Sequence, residues 1–468
     1  MGSLYDDAFI YFRYARVARE GCFYCFNPGG PRVEGVTSPL YFLLILAASV
    51  AGSRYFVAAT VLGALGVTVG LGAAAVRAAS LVRGRAAALA AVAVLTSLCL
   101  DDWFQLNAVT GLETAVAMAL LTVTACSALT PGHPGLGALS VLASLARPEA
   151  TLAVVLLPLL PSMRGARRLG PPIAALAAFA LARLALFGDL VPNTYHAKSG
   201  GDLAHALAGA RYLGEVIAAE PLCLLAPAAL LSPVTREGGR YVLAIALLWF
   251  GFFLRSGGDH FHYGRLAAPL VPAMILVGVA GLFDRLAQRR ALVAGLGAAL
   301  VALTLWRSAS HRVGAQHGFP NVHRWILVGR ALRQRYPGAT LATVPIGAIG
   351  YYSHARVIDL VGLTEPAIAR DGQRVPESAF RRHWIGHERF NTPWVLAQRP
   401  DVIVTSLWRD RPWRTLDESR PGFYADRDLW EAMRAGRAPY EVRDLEVEPG
   451  LHWLLFVRRP EAAPAPGP

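Results

Sequence analysis

Between residues 56 and 308 the chain is an almost unbroken series of apolar runs, at 56–79, 86–100, 106–129, 134–146, 149–162, 168–187, 219–233, 240–255, 266–283 and 290–308. A bilayer core asks for about 20 apolar residues per crossing, and only a helix or a closed barrel satisfies its backbone there. The runs lack period-two alternation, so they predict a mainly α, multi-pass membrane protein with about ten crossings. Hydrophobic residues make up 54% of the sequence and charged residues only 16%, too apolar for an ordinary soluble chain. A formal charge of +13 would suggest nucleic acid in a soluble protein. Here the arginines cluster in the connections between runs, so they report topology and no nucleic-acid partner is expected.

The segment 38–52 is apolar but short, and is expected to be juxtamembrane or re-entrant. Charge parity agrees. If residues 1–37 are external and 38–52 does not cross, then Arg77, Arg83, Arg85, Arg164, Arg167, Arg168, Arg236, Arg240, Arg285, Arg289 and Arg290 all fall inside. Asp101-Asp102, Arg147-Pro148-Glu149, the loop 193–198 and the loop 257–265 then share the outer side with the N-terminus.

After residue 309 the composition turns polar, which marks a second domain over 309–460, small, α/β and extracytoplasmic. Short apolar strands are expected at 339–344, 356–361, 401–405 and 452–457, with helices over 322–336 and 428–436. Residues 461–468 form a disordered Ala/Pro tail. Trp325, Trp384, Trp394 and the Tyr351-Tyr352 pair suit sugar stacking, but core packing explains such residues more often. Cys22 and Cys25 stand alone as a Cys-x-x-Cys, two ligands short of a zinc site, and read as an external disulfide or free thiols.

Polar side chains near a bilayer are costly unless paired, buried or hydrated, so the outer loops carry the candidate site. Foremost is the N-terminal run, where Asp6 and Asp7 precede a helix in which Phe9, Phe12, Arg13 and Arg16 recur at helical spacing. One face of that helix is expected on lipid headgroups, with the arginines reaching phosphates. Either aspartate equally suits a plain N-cap. Glu113, Arg147 and Glu149 read first as a buried ion-pair network and second as substrate contacts.

The string from the acidic pair through Phe-Arg-Tyr-Ala-Arg, Phe-Asn-Pro-Gly, Val-Glu-Gly and Thr-Ser-Pro-Leu resembles the first external loop of the GT-C glycosyltransferases that use polyprenyl-phosphate sugars. It is most similar to the terminal arabinofuranosyltransferase family of mycobacterial cell walls. Further islands match at Thr-Gly-Leu-Glu-Thr (110–114), Ala-Arg-Pro-Glu (146–149), Gly-Asp-Leu-Val-Pro-Asn-Thr-Tyr-His-Ala-Lys (188–198) and Gly-Gly-Asp-His-Phe-His-Tyr-Gly-Arg (257–265). Two more lie at 347–353 and 357–364. The resemblance implies a GT-C-like catalytic domain over 1–308 in a bacterial cytoplasmic membrane, with its active site on the outer face. Its donor would be a polyprenyl-phosphate sugar, arabinofuranose in the nearest case, and its acceptor a cell-envelope glycan, lipid or protein. In such families a transmembrane helix precedes this loop, so one is expected upstream of Met1.

The resemblance assigns the general base to Asp6 or Asp7. For the donor phosphate, the fork of Arg265 and the point charge of Lys198 come first, with His260 and Arg13 behind them. Glu34, Asn193, Tyr195, Asp259, Glu113 and Arg147 complete the expected substrate contacts. Asp259-His260-x-His262 makes a divalent cation a candidate cofactor, although the sequence completes no ligand set. Two rivals from other classes are a transporter or flippase for lipid-linked sugars and a non-enzymatic envelope-assembly protein.

Overall fold

The computed structural model describes residues 4–198, 200–261, 264–311, 320–376, 385–416 and 420–460. His262, Trp384 and the tail 461–468 lie outside the described residues. The first part of the chain is helical: α1 (Asp6–Arg19), α2 (Pro39–Val50), α3 (Tyr55–Leu81), α4 (Arg85–Cys99), α5 (Asp102–Val109), α6 (Thr114–Ala128) and α7 (Leu136–Ala146). After short turns around α8 (Leu152–Val155) come α9 (Ala166–Phe187), α10 (Asn193–Ala197), α11 (Leu203–Ala219), α12 (Arg236–Ser256), α13 (Val271–Leu286) and α14 (Arg290–His311).

Small residues bring these helices together. A Cβ added at Gly63 of α3 would stand 2.0 Å from the Ala108 carbonyl oxygen, and one at Gly66 2.5 Å from that of Ala115. Helices in lipid gain association from such close backbone approach, because burying more apolar surface offers no advantage there. Gly278 and Gly281 do the same for α13, which packs on the 3-10 segment Pro221–Leu231 and is buried along nearly its whole length.

Ten straight crossings are not what the runs build. Four helices among the described residues are long and apolar enough to span, or up to six if the two bent pairs, Ala86–Cys99 with Trp103–Val109 (57°) and Leu203–Ala219 with Pro221–Leu231 (81°), each count as one. The run 106–129 breaks at Gly111, whose φ is 76°. The runs 134–146 and 149–162 become the 11-residue α7 and a string of short turns, since Pro148, Pro158 and Pro161 each remove a backbone donor. Both bends carry charge: Arg307 of α14 lies 2.9 Å from Asp101 at the first and 2.8 Å from Glu220 at the second. The α2 segment is, as read from its length, too short to cross.

The α/β part begins with α15 (Pro320–Arg335) and runs through β1 (Thr340–Thr343), α16 (Ile346–Ser353), β2 (Arg356–Asp359), α17 (Pro366–Asp371), β3 (Gln373–Arg374), β4 (Arg389–Phe390), α18 (Thr392–Ala397), β5 (Val402–Arg409), α19 (Tyr424–Arg434), β6 (Tyr440–Glu448) and β7 (Leu451–Arg458). Five strands form one sheet in the order β2-β1-β5-β7-β6, parallel from β2 to β5 and antiparallel beyond. One apolar layer gathers Val328, Leu332, Ile349 and Trp453, the other Ile368, Val395, Leu429 and Trp430. Trp325 and Trp394 pack against these layers. The strand β6 has alternating charge and no apolar run, so the sequence reading passed over it.

The α1 helix is not a surface helix. Residues Ala8 to Ala15 are all buried, and the aromatic face packs on α2, α3 and α16 instead of on headgroups. Arg13 is 1% exposed and donates to the carbonyls of Phe26 (2.8 Å), Ala355 (2.7 Å) and Gly350 and to Asn27 Oδ1 (2.8 Å). Asn27 in turn pairs with both backbone groups of Val357 at 2.8 Å, like one rung of a sheet. The N-terminal loop is thereby pinned to the α/β part. Cys22 and Cys25 are joined as a disulfide in that loop.

Candidate active site

The N-terminal segment and the loops 147–149, 193–198 and 257–265, which charge parity assigned to one side, converge, whereas Asp101 of that set pairs with Arg307 away from them. They enclose a cavity of about 610 Å³ lined by Asp7, Tyr11, Glu113, Arg147, Glu149, Tyr195, Lys198, Asp259, His260 and Arg265 among others. The arginine-bearing connections meet elsewhere, with Arg77 donating to the Leu129 carbonyl and Ser232 to Asp284.

Adjacent helical residues point about 100° apart, and the acidic pair divides accordingly. Tyr5 is the N-cap of α1, and no side chain caps it. Asp6 caps another helix: its two oxygens accept from Gly347 N (3.0 Å) and Ala348 N (2.7 Å) at the start of α16. A Cβ at Gly347 would lie 2.0 Å from the Asp6 carbonyl oxygen, so only glycine permits this approach. Burial pushes the Asp6 carboxyl up to about 7 against those two donors, with the Asp7 charge adding to the rise. Asp7 instead faces the cavity, its Oδ2 2.7 Å from Arg265 Nη1.

Arg265 is itself held. Its Nε lies 2.7 Å from Asp259 Oδ2, its Nη2 3.5 Å from Asp259 Oδ1, and its guanidinium 3.8 Å above the Phe261 ring. Burial alone would raise Asp7, but the Arg265 and Lys198 charges outweigh it and keep the carboxyl below its ordinary range. The Lys198 ammonium is lowered, first by burial and then by Arg265. His260 is brought down to about 4, chiefly by burial, and so is a neutral imidazole at physiological pH. Among the described residues the ion pairs of Asp7 and Asp259 go to Arg265, and none goes to Lys198.

Of the remaining expected residues Glu113, Arg147 and Tyr195 line the cavity, and Glu34 and Asn193 do not. Glu113 and Glu149 both pair with Arg147, at 2.9 and 3.2 Å, and Tyr11 donates to Glu113 at 3.3 Å; this buried network also lines the cavity. Tyr195 lines it too and accepts from Arg255 at 3.0 Å. Glu34 lies behind the wall in a two-pronged pair with Arg183 at 2.8 and 2.9 Å. Asn193 donates to the carbonyls of Gly362 and Leu363, tying α10 to the α/β part. Arg13, expected near the donor phosphate, is outside the cavity with its donors committed to the junction described above.

His262, the third member of the candidate cation site, lies outside the described residues, and the two that are described are otherwise engaged. Asp259 gives both oxygens to Arg265, and His260 Nδ1 stands 3.8 Å away from it. No group of three or more His, Cys, Asp or Glu side chains among the described residues could hold a metal.

Sequence reading missed two parts of the cavity. One is an apolar flank of Leu152, Val155, Leu248 and Phe252, where Val155 and Leu248 are exposed on the helical surface. Those residues belong to runs read simply as spans. The other is a contribution from the α/β part, where Leu363, Ile385 and Gly386 close the cavity; a Cβ at Gly386 would sit 3.4 Å from Lys198 Cε. Nothing in the local sequence of 385–388 signals that position.

Fold and cavity together define a mainly helical protein, with at least four helices long and apolar enough to cross a membrane among the described residues, whose charged chamber lies under a small α/β domain. The chain is similar throughout to the crystal structure of ArnT from Cupriavidus metallidurans in the apo state, at 13% identity and a TM-score of 0.56, covering 97% of this chain and 94% of that one. The crystal structure of the same protein bound to undecaprenyl phosphate matches at 14% identity and a TM-score of 0.55, covering 99% and 94%. The likeness is one of fold. A family model described as a domain of unknown function (DUF8728) matches residues 313–445, within the α/β part and the segment leading to it. No curated protein matches the sequence.

Proposed function

We propose that this chain is an integral-membrane inverting glycosyltransferase, moving a sugar from a polyprenyl-phosphate donor to a cell-envelope glycan, lipid or protein acceptor at the outer face of a bacterial cytoplasmic membrane. The observation that carries the reading is one cavity holding a carboxylate, Asp7, beside two half-buried cations, Lys198 and Arg265, with an apolar flank open to the helical surface. A lipid-linked phosphate needs that combination. The structure of a similarly folded protein bound to undecaprenyl phosphate supports the donor class.

In this reading the acceptor oxygen attacks the anomeric carbon from the face opposite the phosphate. The new C–O bond forms as the glycosyl–phosphate C–O bond breaks, and the released electron pair stays on the phosphate oxygen. Lys198 and Arg265 stabilise that charge in a poorly solvated site. Asp7 takes the acceptor proton. Its carboxyl is a weak base, which suffices because the attacked hydroxyl becomes acidic only as the bond forms. Asp259 keeps the Arg265 fork in place, and Leu152, Val155, Leu248 and Phe252 receive the prenyl chain. Arabinofuranose is the first sugar to test, on the sequence resemblance.

The test is transfer of label from a panel of polyprenyl-phosphate sugars in membranes bearing the full-length protein. Transfer by the parent with loss in Asp7→Asn at unchanged protein level supports the reading. Undiminished transfer in Asp7→Asn refutes the mechanism, and no transfer from any donor favours the flippase or assembly alternatives.

A further inference from the structure

His205, in the first turn of α11, joins the segments that form the cation side of the cavity. It is buried, and both its ring nitrogens stand near carboxylates: Nδ1 is hydrogen-bonded to Asp202 Oδ1 at 2.6 Å, and Nε2 lies 3.2 Å from Glu388 Oε1, an ion-pair distance without hydrogen-bond alignment. That Glu388 oxygen also accepts from Gly386 N at 3.1 Å. The ring is wedged against glycine backbone, since a Cβ at Gly200 would meet its Cδ2 at 2.3 Å and one at Gly257 would meet it at 3.3 Å. Gly200 follows Lys198 closely in the chain, Gly257 ends α12 ahead of Asp259, and Gly386 rests against the Lys198 side chain.

A neutral imidazole has one N–H and one lone pair, so it can satisfy only one of two flanking carboxylates. The imidazolium carries a proton on each nitrogen, so its charge attracts both carboxylates. We propose that His205 is a positioning residue for the donor phosphate: as the imidazolium, it draws residues 385–388 of the α/β part over Lys198 and so sets the affinity of the cavity for a phosphate. This rests on the reading of Lys198 and Arg265 as the phosphate site. Among the described residues the other charges around the clamp are Arg255, whose Nη1 would stand 3.2 Å from a Gly201 Cβ, Arg374 acting on Asp202, and Arg389 acting on Glu388. None of the three is expected to change charge where a histidine titrates.

The experiment measures binding of undecaprenyl phosphate to the purified full-length chain in detergent, from about pH 5.5 to pH 9, which brackets histidine titration. His205→Ala should raise Kd roughly tenfold at the acid end, the size of one charge-assisted contact, and the ratio of variant to parent should fall toward one as pH rises. Ionisation of the phosphate itself is common to all variants and cancels in the ratio. Glu388→Gln keeps an acceptor for Gly386 N but loses the charge, and should move binding the same way. In a Lys198→Ala background, His205→Ala should add nothing further.

A ratio that is the same at every pH, or an undiminished His205→Ala effect without Lys198, overturns the proposal while leaving the phosphate site standing. Parent-like binding by Lys198→Ala, or no binding by the parent, overturns the phosphate site and the proposal together. Should His205→Ala fail to fold, Glu388→Gln decides by the same readout.

Discussion

Asp7 and Arg265 stand 258 positions apart in the chain and meet at 2.7 Å on the cavity wall, while Asp6, one residue away, caps a helix of the other domain. The acidic pair thus combines two jobs. One carboxylate faces the cavity, and the other ties the helix that carries it to the α/β part.

Asp7→Asn keeps the shape and removes the basic oxygen. It should lower turnover by roughly 10²- to 10⁴-fold, the range of a positioned general base, while donor binding is largely kept. Single-turnover transfer per folded protein checks this; a fall below tenfold would move the base elsewhere.

The charges of Arg265 and Lys198 keep Asp7 below the ordinary carboxylate range, so it stays ionised into acid. The acid limb of transfer should accordingly fall below about pH 4, the reference value for an aspartate. Lys198→Gln removes one of the cations and lets burial act, so the limb should move toward neutral pH. A rate profile of parent and variant at saturating donor checks the direction. A shift toward acid contradicts the electrostatics.

Much of this arrangement is legible in the sequence, and the rest fails for identifiable reasons. Lys198, Asp259 and Arg265 stand out because polar strings are rare between apolar runs, and parity puts them on the side of Asp7. The division between Asp6 and Asp7 is not legible, because it depends on Gly347 N and Ala348 N, 341 and 342 positions away. Arg13 misleads for a related reason. An arginine on an aromatic helix reads as an interfacial cation, and only the fold brings four acceptors around it. The runs at 134–162 do not become two long helices because apolar composition persists through Pro148, Pro158 and Pro161, where the helix does not.

Asp6 gives a stability signature separate from catalysis. Burial raises its carboxyl to about 7 in the folded protein, above the unfolded value of 3.8. The folded state therefore holds the Asp6 proton more tightly, and this contribution is present at acid pH and lost as pH climbs through about 7. Asp6→Asn should flatten that part of the stability–pH curve and retain transfer. Thermal unfolding of parent and variant between about pH 5 and pH 9 checks it; an unchanged slope assigns the titration to another group.

Arg13 tests how the two domains are held together. Its guanidinium is buried against three carbonyls and Asn27, and among the described residues no carboxylate pairs with it. Arg13→Met fills the volume but leaves those acceptors unsatisfied, each a desolvated polar group, so the loss should be about 3–5 kcal/mol. Arg13→Lys keeps the charge but cannot span four acceptors, and should recover only part of it. Because Arg13 lies outside the cavity, the donor KM of whatever protein remains folded should stay near that of the parent. Limited proteolysis between α14 and α15, run beside transfer kinetics, separates the outcomes. Faster cleavage with an unchanged KM places Arg13 in the junction, and a raised KM with normal cleavage would return it to the phosphate site.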